Sequence, residues 1–239
     1  MHRTIAIARR ELSSLFFSPI AYVVLALFGL GSAWIFFHGF GPGARAELRP
    51  TFDFVIWLMI FIVPAISMRL ISEELRSGTI EPLMTAPISD AEVVLGKWIG
   101  AMGFFAALLT PLVVLAVVLE LNSDPERLPI LTGLVGLFLV GGLYLAIGIF
   151  ASATTQNQII AFLVAIFIIC ILTFVMFFLP QAGFVTPWMK DAMNYMNVNH
   201  QFNDFSKGLI DSSNFIYFFS GIAVFLFMSV LALQSRRWR

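Results

Sequence analysis

Apolar residues occur along this chain in six long runs separated by short polar connections. The runs cover residues 20–37, 54–71, 98–119, 130–151, 159–179 and 215–233. Each is long enough for a helix to cross about 30 Å of hydrocarbon, and Arg69 is the one charged residue within these limits. The runs lack the two-residue alternation of a membrane β-barrel. The pattern therefore predicts an all-α integral membrane protein, with six transmembrane helices in one domain over residues 1–239.

A shorter amphipathic pattern precedes the first run. Apolar residues recur at helical spacing on one face, and the opposite face is basic and polar. The apolar positions are Ile5, Ala8, Leu12, Leu15 and Phe16, and the polar ones are Arg9, Arg10 and Ser13. This predicts an interface helix over residues 1–18, lying in the plane of the membrane surface. A solvated, positively charged flank is the alternative.

The connection between the second and third runs is the most polar part of the chain. Within Glu73–Lys97, Gly78 is typical of the residue that ends a helix, and Thr79 can cap a new one. That helix must end before Pro87, and Ser89–Glu92 has the sequence of a capping box. We therefore expect a helix end, a short stiff helix of about two turns, and a firmly capped third span.

The connection over residues 180–214 carries two apolar stripes. The first is Trp188, Met189, Ala192, Met193 and Met196, and the second is Phe202, Phe205, Leu209 and Ile210. Two short helices resting in the outer leaflet explain both stripes, and so does a cap packed over the bundle.

Prolines and small residues add two expectations inside the runs. Pro64 and Pro111 should kink the second and third spans. Small residues four apart, such as Gly96 with Gly100, allow close helix contacts, either within the chain or between two copies.

Composition and charge exclude several functions. The chain is 59% apolar and only 12% charged, against about 25% charged in a soluble domain. The formal net charge is zero and the charges lie in connections, which argues against nucleic-acid binding. The one cysteine, Cys170, cannot form a disulfide within the chain. No P-loop sequence occurs and all three histidines lie outside the runs, so neither ATP binding nor an intramembrane hydrolase is expected.

The distribution of lysine and arginine predicts the orientation. With the N-terminus inside, the cytoplasmic set has nine members: Arg3, Arg9, Arg10, Arg69, Arg76, Lys97, Arg236, Arg237 and Arg239. The outside set has five: Arg45, Arg49, Arg127, Lys190 and Lys207. This excess predicts that both termini and the 73–97 connection are cytoplasmic.

The polar connection also resembles a known family. The run Ser72–Ser89, followed by Val94–Lys97, resembles the cytoplasmic-loop signature of ABC transporter type-2 permeases, with an acidic helix end, Gly-Thr, an acid, Pro-x-Ser and Gly-Lys. The resemblance extends over essentially the whole chain and includes Ser152. Within the family, Asn203–Asp211 looks most similar to the gliding-motility-associated permeases.

The resemblance implies a function and a set of site residues. The chain would be the membrane subunit of an ATP-binding-cassette exporter, with a coupling helix at Thr79–Ala86 that contacts the ATPase. The implied coupling residues are Glu73, Glu74, Arg76, Gly78, Thr79, Glu81, Leu83, Met84 and Pro87, joined on the interface helix by Arg9, Arg10 and Leu12. Pro82 departs from the family pattern and affects the expected shape of the coupling helix.

The resemblance also implies partners and a location. The chain would have no catalytic residues, metal or cofactor of its own, because two ATPase subunits bind the ATP and magnesium. A second permease copy, identical or homologous, would complete the transporter in the bacterial cytoplasmic membrane. No substrate residue can be named. The alternative function is a non-transporting membrane scaffold or anchor that docks partner subunits.

Overall fold

The computed structural model describes residues 2–39, 46–79, 88–181 and 185–236. Its helices are α1 His2–Phe16, α2 Pro19–Gly39, α3 Arg49–Ser67, α4 Ser72–Ser77, α5 Asp90–Leu108, α6 Thr110–Asn122, α7 Arg127–Thr154, α8 Gln158–Cys170, α9 Met176–Phe178, α10 Pro187–Met196, α11 Val198–Ser206 and α12 Ser212–Arg236. A π-helical turn (Ile171–Val175) joins α8 to α9, and a 3-10 turn (Leu179–Gln181) follows α9. No strand occurs in these ranges.

Six helical segments are long and apolar enough to cross a membrane, which confirms the predicted all-α, six-span fold class. They are Pro19–Gly39, Arg49–Ser77, Asp90–Asn122, Arg127–Thr154, Gln158–Gln181 and Ser212–Ser235. Each contains one of the six apolar runs. The limits of the runs as membrane boundaries, and their grouping into one domain, stay predictions.

Helix α7 occupies the centre of the bundle. In its most apolar stretch 78% of the residues are buried, and it packs against α3, α5, α8, α11 and α12. Its glycines permit these contacts: a Cβ atom on Gly133, Gly141 or Gly148 would overlap the side chain of Phe52, Phe105 or Ser67, respectively. The small residues of α7 therefore serve packing within the chain.

The second and third spans are interrupted. Helix α5 ends at Leu108 and α6 begins at Thr110, so the third span is interrupted at Leu109, close to Pro111, and the predicted kink stays a prediction. Helix α3 instead continues past Pro64 to Ser67, and the second span breaks only between Ser67 and Ser72. Near the end of α3 the hydroxyl of Ser67 donates to Val63 O at 2.9 Å, the back-bond that serine commonly forms within a helix.

The break before α4 is held by a side chain from the central helix. Ser152 Oγ on α7 accepts hydrogen bonds from the amides of Ile71 (3.0 Å) and Ser72 (2.8 Å) and donates to Met68 O (2.9 Å). These three bonds use the full hydrogen-bonding capacity of the hydroxyl. Ile71, the N-cap residue of α4, supplies no capping bond from its side chain, so Ser152 caps α4 from another span.

The connection over residues 180–214 contains the two expected short helices, α10 and α11. Helix α11 forms a packed cap, because Val198, Phe202 and Phe205 are buried against α7 near Gly136. The second predicted stripe is only half correct, since Leu209 and Ile210 are exposed. Helix α10 has no buried residue, so its apolar stripe is not part of that cap.

Candidate functional site

Helix α1 packs along the first half of α5 through a seam of glycines. A Cβ atom on Gly96 would lie 2.8 Å from Cβ of Ile7, and one on Gly100 would lie 2.7 Å from the carbonyl oxygen of Ala8. Such separations are too short for any larger residue, so the glycines allow near-backbone contact between the helices. Small residues are expected to allow helix contacts either within the chain or between two copies. For Gly96 and Gly100 the structure confirms contact within the chain.

The predicted amphipathic helix exists, but its apolar face is directed at protein. Ala8 and Leu15 are buried, and Leu12 lies against Gly103 of α5. Ile5, which the pattern assigned to the same face, is 63% exposed, and Ile7 is buried instead. The alternative of a solvated flank is wrong. The helix is part of the bundle rather than a segment that rests only on lipid.

A cluster of four charged residues joins α1, α4 and α5. Lys97 on α5 is 1% exposed, and its Nζ lies 3.1 Å from Glu11 Oε2 and 3.0 Å from Glu74 Oε1. Nζ also donates to the carbonyl oxygen of Leu70 at 2.6 Å, so three oxygen atoms surround the ammonium group. Arg10 Nη2 lies 2.7 Å from Glu74 Oε1 and completes the Lys97 cluster, which consists of Arg10, Glu11, Glu74 and Lys97.

The electrostatics of the Lys97 cluster explain how a lysine can be buried. Two cations face two carboxylates, so the cluster carries no formal net charge. A buried charge is tolerated when it is paired and hydrogen-bonded, and removal of one partner is costly because it leaves the other uncompensated. The cluster is thus a polar joint that fixes three helices relative to one another.

Sequence reasoning missed two members of the Lys97 cluster. Lys97 stands one position before the third apolar run, so its sequence context is that of a loop charge, and Glu11 belongs to none of the predicted groups of site residues. The available signal was that Glu11 is the one acidic residue of α1. A lone acid on an amphipathic helix, together with a lone lysine beside a membrane span, indicates a pair once the two helices are known to touch.

The structure places several of the predicted coupling residues at this same end of the bundle. Gly78 ends α4 with φ of +72°, a left-handed conformation that glycine adopts without strain, which confirms the predicted helix end. Glu73, Arg76 and Thr79 are exposed around it. Glu74 differs, because it is turned into the Lys97 cluster.

Most of the predicted coupling helix lies outside the described residues. Thr79 is the one residue of Thr79–Ala86 inside the described ranges. Glu81, Leu83, Met84 and Pro87 lie outside them, so their expected roles stay predictions. On the far side of this segment the capping box is confirmed: Ser89 Oγ accepts from Glu92 N at 3.2 Å, and Ser89 N donates to Glu92 Oε2 at 3.0 Å.

The two predicted groups of interface residues form one surface. Arg9 and Arg10 of α1 are exposed, and Arg10 bonds directly to Glu74 of α4. A cleft of about 540 Å³ lies between α1, the turn after α3 and α4. Its walls include Ser14, Arg69, Glu73 and Thr79 together with the members of the Lys97 cluster. We call this the α1–α4 surface.

One family of known proteins matches nearly the whole length of the chain. The sequence model of a family described as ABC-2 family transporter protein matches residues 5–236. A search of curated proteins found no significant match. The family match includes most of α1, all six candidate spans and the α1–α4 surface.

Proposed function

Because the chain belongs to the ABC-2 family of transporter proteins, we propose that it is the permease subunit of an exporter driven by a separate ATPase. Membrane proteins of this family work with ABC ATPases and are not themselves catalytic. The chain contains no G-x-x-x-x-G-K-[ST] sequence, so nucleotide binding by a P-loop must come from a partner. ATP and magnesium then belong to that partner, and a second permease copy, identical or homologous, completes the assembly.

The α1–α4 surface is our proposed docking site for the ATPase. The observation that carries this proposal is the buried Lys97 cluster, in which one ammonium group bonds to α1, to α4 and to the carbonyl of Leu70. A force applied to the exposed residues Glu73, Arg76 and Thr79 would be shared by all three helices. The predicted coupling residues Glu81, Leu83 and Met84 follow directly in the chain and would extend the same surface.

The breaks in the second and third spans support a route for the motion. Helix α4 joins α3 through the turn capped by Ser152, and α5 joins α6 at the break beside Pro111. Each break is a place where one rigid segment can tilt relative to the next. Displacement of α4 and α5 by the ATPase would thus alter the angle of both spans.

The orientation and location follow from the same proposal. ATP is available in the cytoplasm, so the α1–α4 surface and both termini would be cytoplasmic, in agreement with the excess of lysine and arginine at that end. The membrane would be the bacterial cytoplasmic membrane.

The similarity to gliding-motility-associated permeases stays a hypothesis. Two residues of Asn203–Asp211 have roles in the fold: Asn203 Oδ1 accepts from Arg49 at 2.9 Å, and Asp204 Oδ2 accepts from Asn214 at 3.1 Å. These contacts explain Asn203 and Asp204 without a substrate.

The test is co-purification of an ATPase with the tagged protein from mild detergent, with ATP hydrolysis assayed on the eluate. Glu81→Arg and the double variant Leu83→Asp, Met84→Asp should reduce the amount of ATPase recovered or its activity. Asp191→Arg and Leu209→Asp make the same kinds of change at exposed positions of the opposite end and serve as controls. Equal ATPase recovery and activity for all variants would reject the coupling surface.

A second outcome would favour the alternative function. If no ATPase associates under any condition while other partners still bind, the transporter proposal fails. A non-transporting scaffold or anchor would then be the better explanation.

A further inference from the structure

A second cleft, of about 610 Å³, lies at the opposite end of the bundle from the Lys97 cluster. It is bounded by the start of α3, the end of the fifth span, α10 and α11. This volume is within the range of small-molecule sites, about 300–1,000 Å³. The proposed coupling function does not use this cleft.

The floor of the cleft is aromatic and joins a lipid-facing surface. Trp57 and Phe177 line it, with exposed fractions of 37% and 46%. The ring of Trp57 packs on Phe174 in the fifth span at a centroid distance of 4.7 Å, and the neighbouring Phe178 is 61% exposed. An apolar chain lying on the fifth span could therefore continue into the cleft.

The rim of the cleft is polar and carries both signs of charge. Asp53 comes from α3, Lys190 from α10 and His200 from α11. Within the described ranges, the side chains of these three residues make no hydrogen bond or ion pair. Other polar groups of the lining are already engaged, for example Asn203 with Arg49. A carboxylate, an ammonium group and an imidazole thus line one cavity without a hydrogen-bond partner among the described residues, and Arg49 adds a favourable charge near Asp53.

The position of the cleft matches the level of lipid headgroups. It lies where the second span begins and the fifth span ends, and α10 beside it carries Trp188 with 72% exposure. Tryptophan and lysine are enriched at this level of a membrane because each combines an apolar part with a polar group.

We propose that this cleft binds the headgroup of phosphatidylethanolamine. The phosphate bonds to Lys190 and His200, the ammonium group bonds to Asp53, and an acyl chain lies over Trp57 and Phe177. A primary ammonium donates hydrogen bonds to a carboxylate, whereas the quaternary ammonium of choline has no N–H group. Choline sites depend on a cage of aromatic faces, and here the third aromatic residue of the lining, Phe202, is only 1% exposed.

The experiment measures lipid binding to the purified, delipidated protein by native mass spectrometry. Phosphatidylethanolamine, phosphatidylcholine and phosphatidylglycerol with identical acyl chains are added in turn. We expect the ethanolamine lipid to bind about tenfold more tightly than the other two, the factor that one charge-assisted hydrogen bond contributes. Asp53→Asn should remove this advantage and leave phosphatidylglycerol binding unchanged. Lys190→Gln should weaken binding of every phospholipid.

Matched controls exist at the same end of the molecule. Asp124 and Lys207 line a separate cleft of about 490 Å³, so Asp124→Asn and Lys207→Gln make the same chemical changes elsewhere. Neither control should alter the binding of any of the three lipids. Melting temperatures of all variants verify that they are folded.

Three results would overturn the proposal. Equal binding of the three lipids would indicate only a non-specific lipid shell, and tighter binding of the choline or glycerol lipid would assign the cleft to a different headgroup. An ethanolamine preference that survives both Asp53→Asn and Lys190→Gln would place the site elsewhere. If a variant did not fold, the order of the three lipids on the unmodified protein would still decide. None of these measurements requires the ATPase, so the coupling proposal can stand or fall independently.

Discussion

Lys97 connects three elements at one end of the helix bundle. Its side chain is only 1% exposed, although it lies at the wall of the cleft of the α1–α4 surface. The side chain is neutralised by acids from two other elements, one 86 residues and the other 23 residues earlier in the chain. The charge is stable at this position only when all three elements are assembled.

Lys97→Met should strongly destabilise the fold. The substitution leaves Glu11 without a cationic partner, and breaking a buried pair costs about 3–5 kcal/mol. The free energy of unfolding, measured in detergent by SDS or heat denaturation, should fall accordingly. Arg127→Met removes a pair with Glu120 whose side chains are 77% and 48% exposed, and its effect should be about 0–1 kcal/mol. If the two substitutions lowered the free energy of unfolding equally, the buried Lys97 cluster would stabilise the protein no more than an exposed ion pair does.

Ser152→Ala should loosen the junction between the second span and α4. It leaves the buried amides of Ile71 and Ser72 without their acceptor, at a cost of about 1–3 kcal/mol for each unsatisfied group. Hydrogen exchange in residues 71–75 should become faster. Ser235→Ala is the control, because it removes an exposed hydrogen bond to the carbonyl oxygen of Ala232. It should change hydrogen exchange neither at residues 71–75 nor around residue 235. Unchanged exchange at the junction would mean that the cap is not needed.

At the scale of elements, the contact between α1 and α5 depends on the absence of side chains. Gly96, Gly100 and Gly103 lie on one face of α5 and all meet α1. On the α1 side of this contact, Ile7, Ala8 and Leu15 are buried. Helix α1 would be short for an independent helix in water, so this burial is what holds it in place.

Gly100→Leu should release α1 from the bundle. The new Cβ would meet the backbone oxygen of Ala8, which cannot rotate away as a side chain could. Overpacking costs about 1–3 kcal/mol, so cleavage by trypsin after Arg9 and Arg10 should accelerate by about tenfold. Gly39→Leu is the control, because a Cβ there has no atom within 4 Å among the described neighbours. If both variants were cleaved at the same rate as the unmodified protein, the glycine seam would not control α1.

At the scale of the whole molecule, the two ends of the bundle have different surfaces. One end carries α1, α4 and the Lys97 cluster, and the other carries α10, α11 and the aromatic cleft. Only the first end contains the residues that the family resemblance associates with an ATPase. The proposed functions therefore depend on which end is cytoplasmic.

The orientation can be measured with single cysteines. Cys170 is the one native cysteine, so Cys170→Ala provides a cysteine-free background. Ser77→Cys and Asp191→Cys then place thiols at exposed positions of the two ends. In intact cells a membrane-impermeant maleimide should label Asp191→Cys, and it should label Ser77→Cys only after permeabilisation. The reverse pattern would place the α1–α4 surface outside and reject its contact with a cytoplasmic ATPase.

The amino-acid sequence determined the features that depend on neighbouring residues. The six spans follow from length and hydropathy, the capping box from Ser89 and Glu92, and the end of α4 from Gly78, because each requires only local hydrogen bonds or burial in a membrane of fixed thickness. The presence of α1 likewise follows from its own periodicity. The surface that α1 covers does not, since an amphipathic pattern is compatible with lipid and with protein.

The tertiary structure alone decided which helix is central and which polar residues meet. The first and fourth spans have similar hydropathy, yet in their most apolar stretches 78% of the α7 residues are buried and only 28% of the α2 residues, because burial depends on neighbours that are distant in sequence. The partners of Lys97 and the bonds of Ser152 are also long-range contacts. No local pattern encodes them. For this reason the helices of this permease could be predicted from sequence, and the Lys97 cluster and the Ser152 cap that connect them could not.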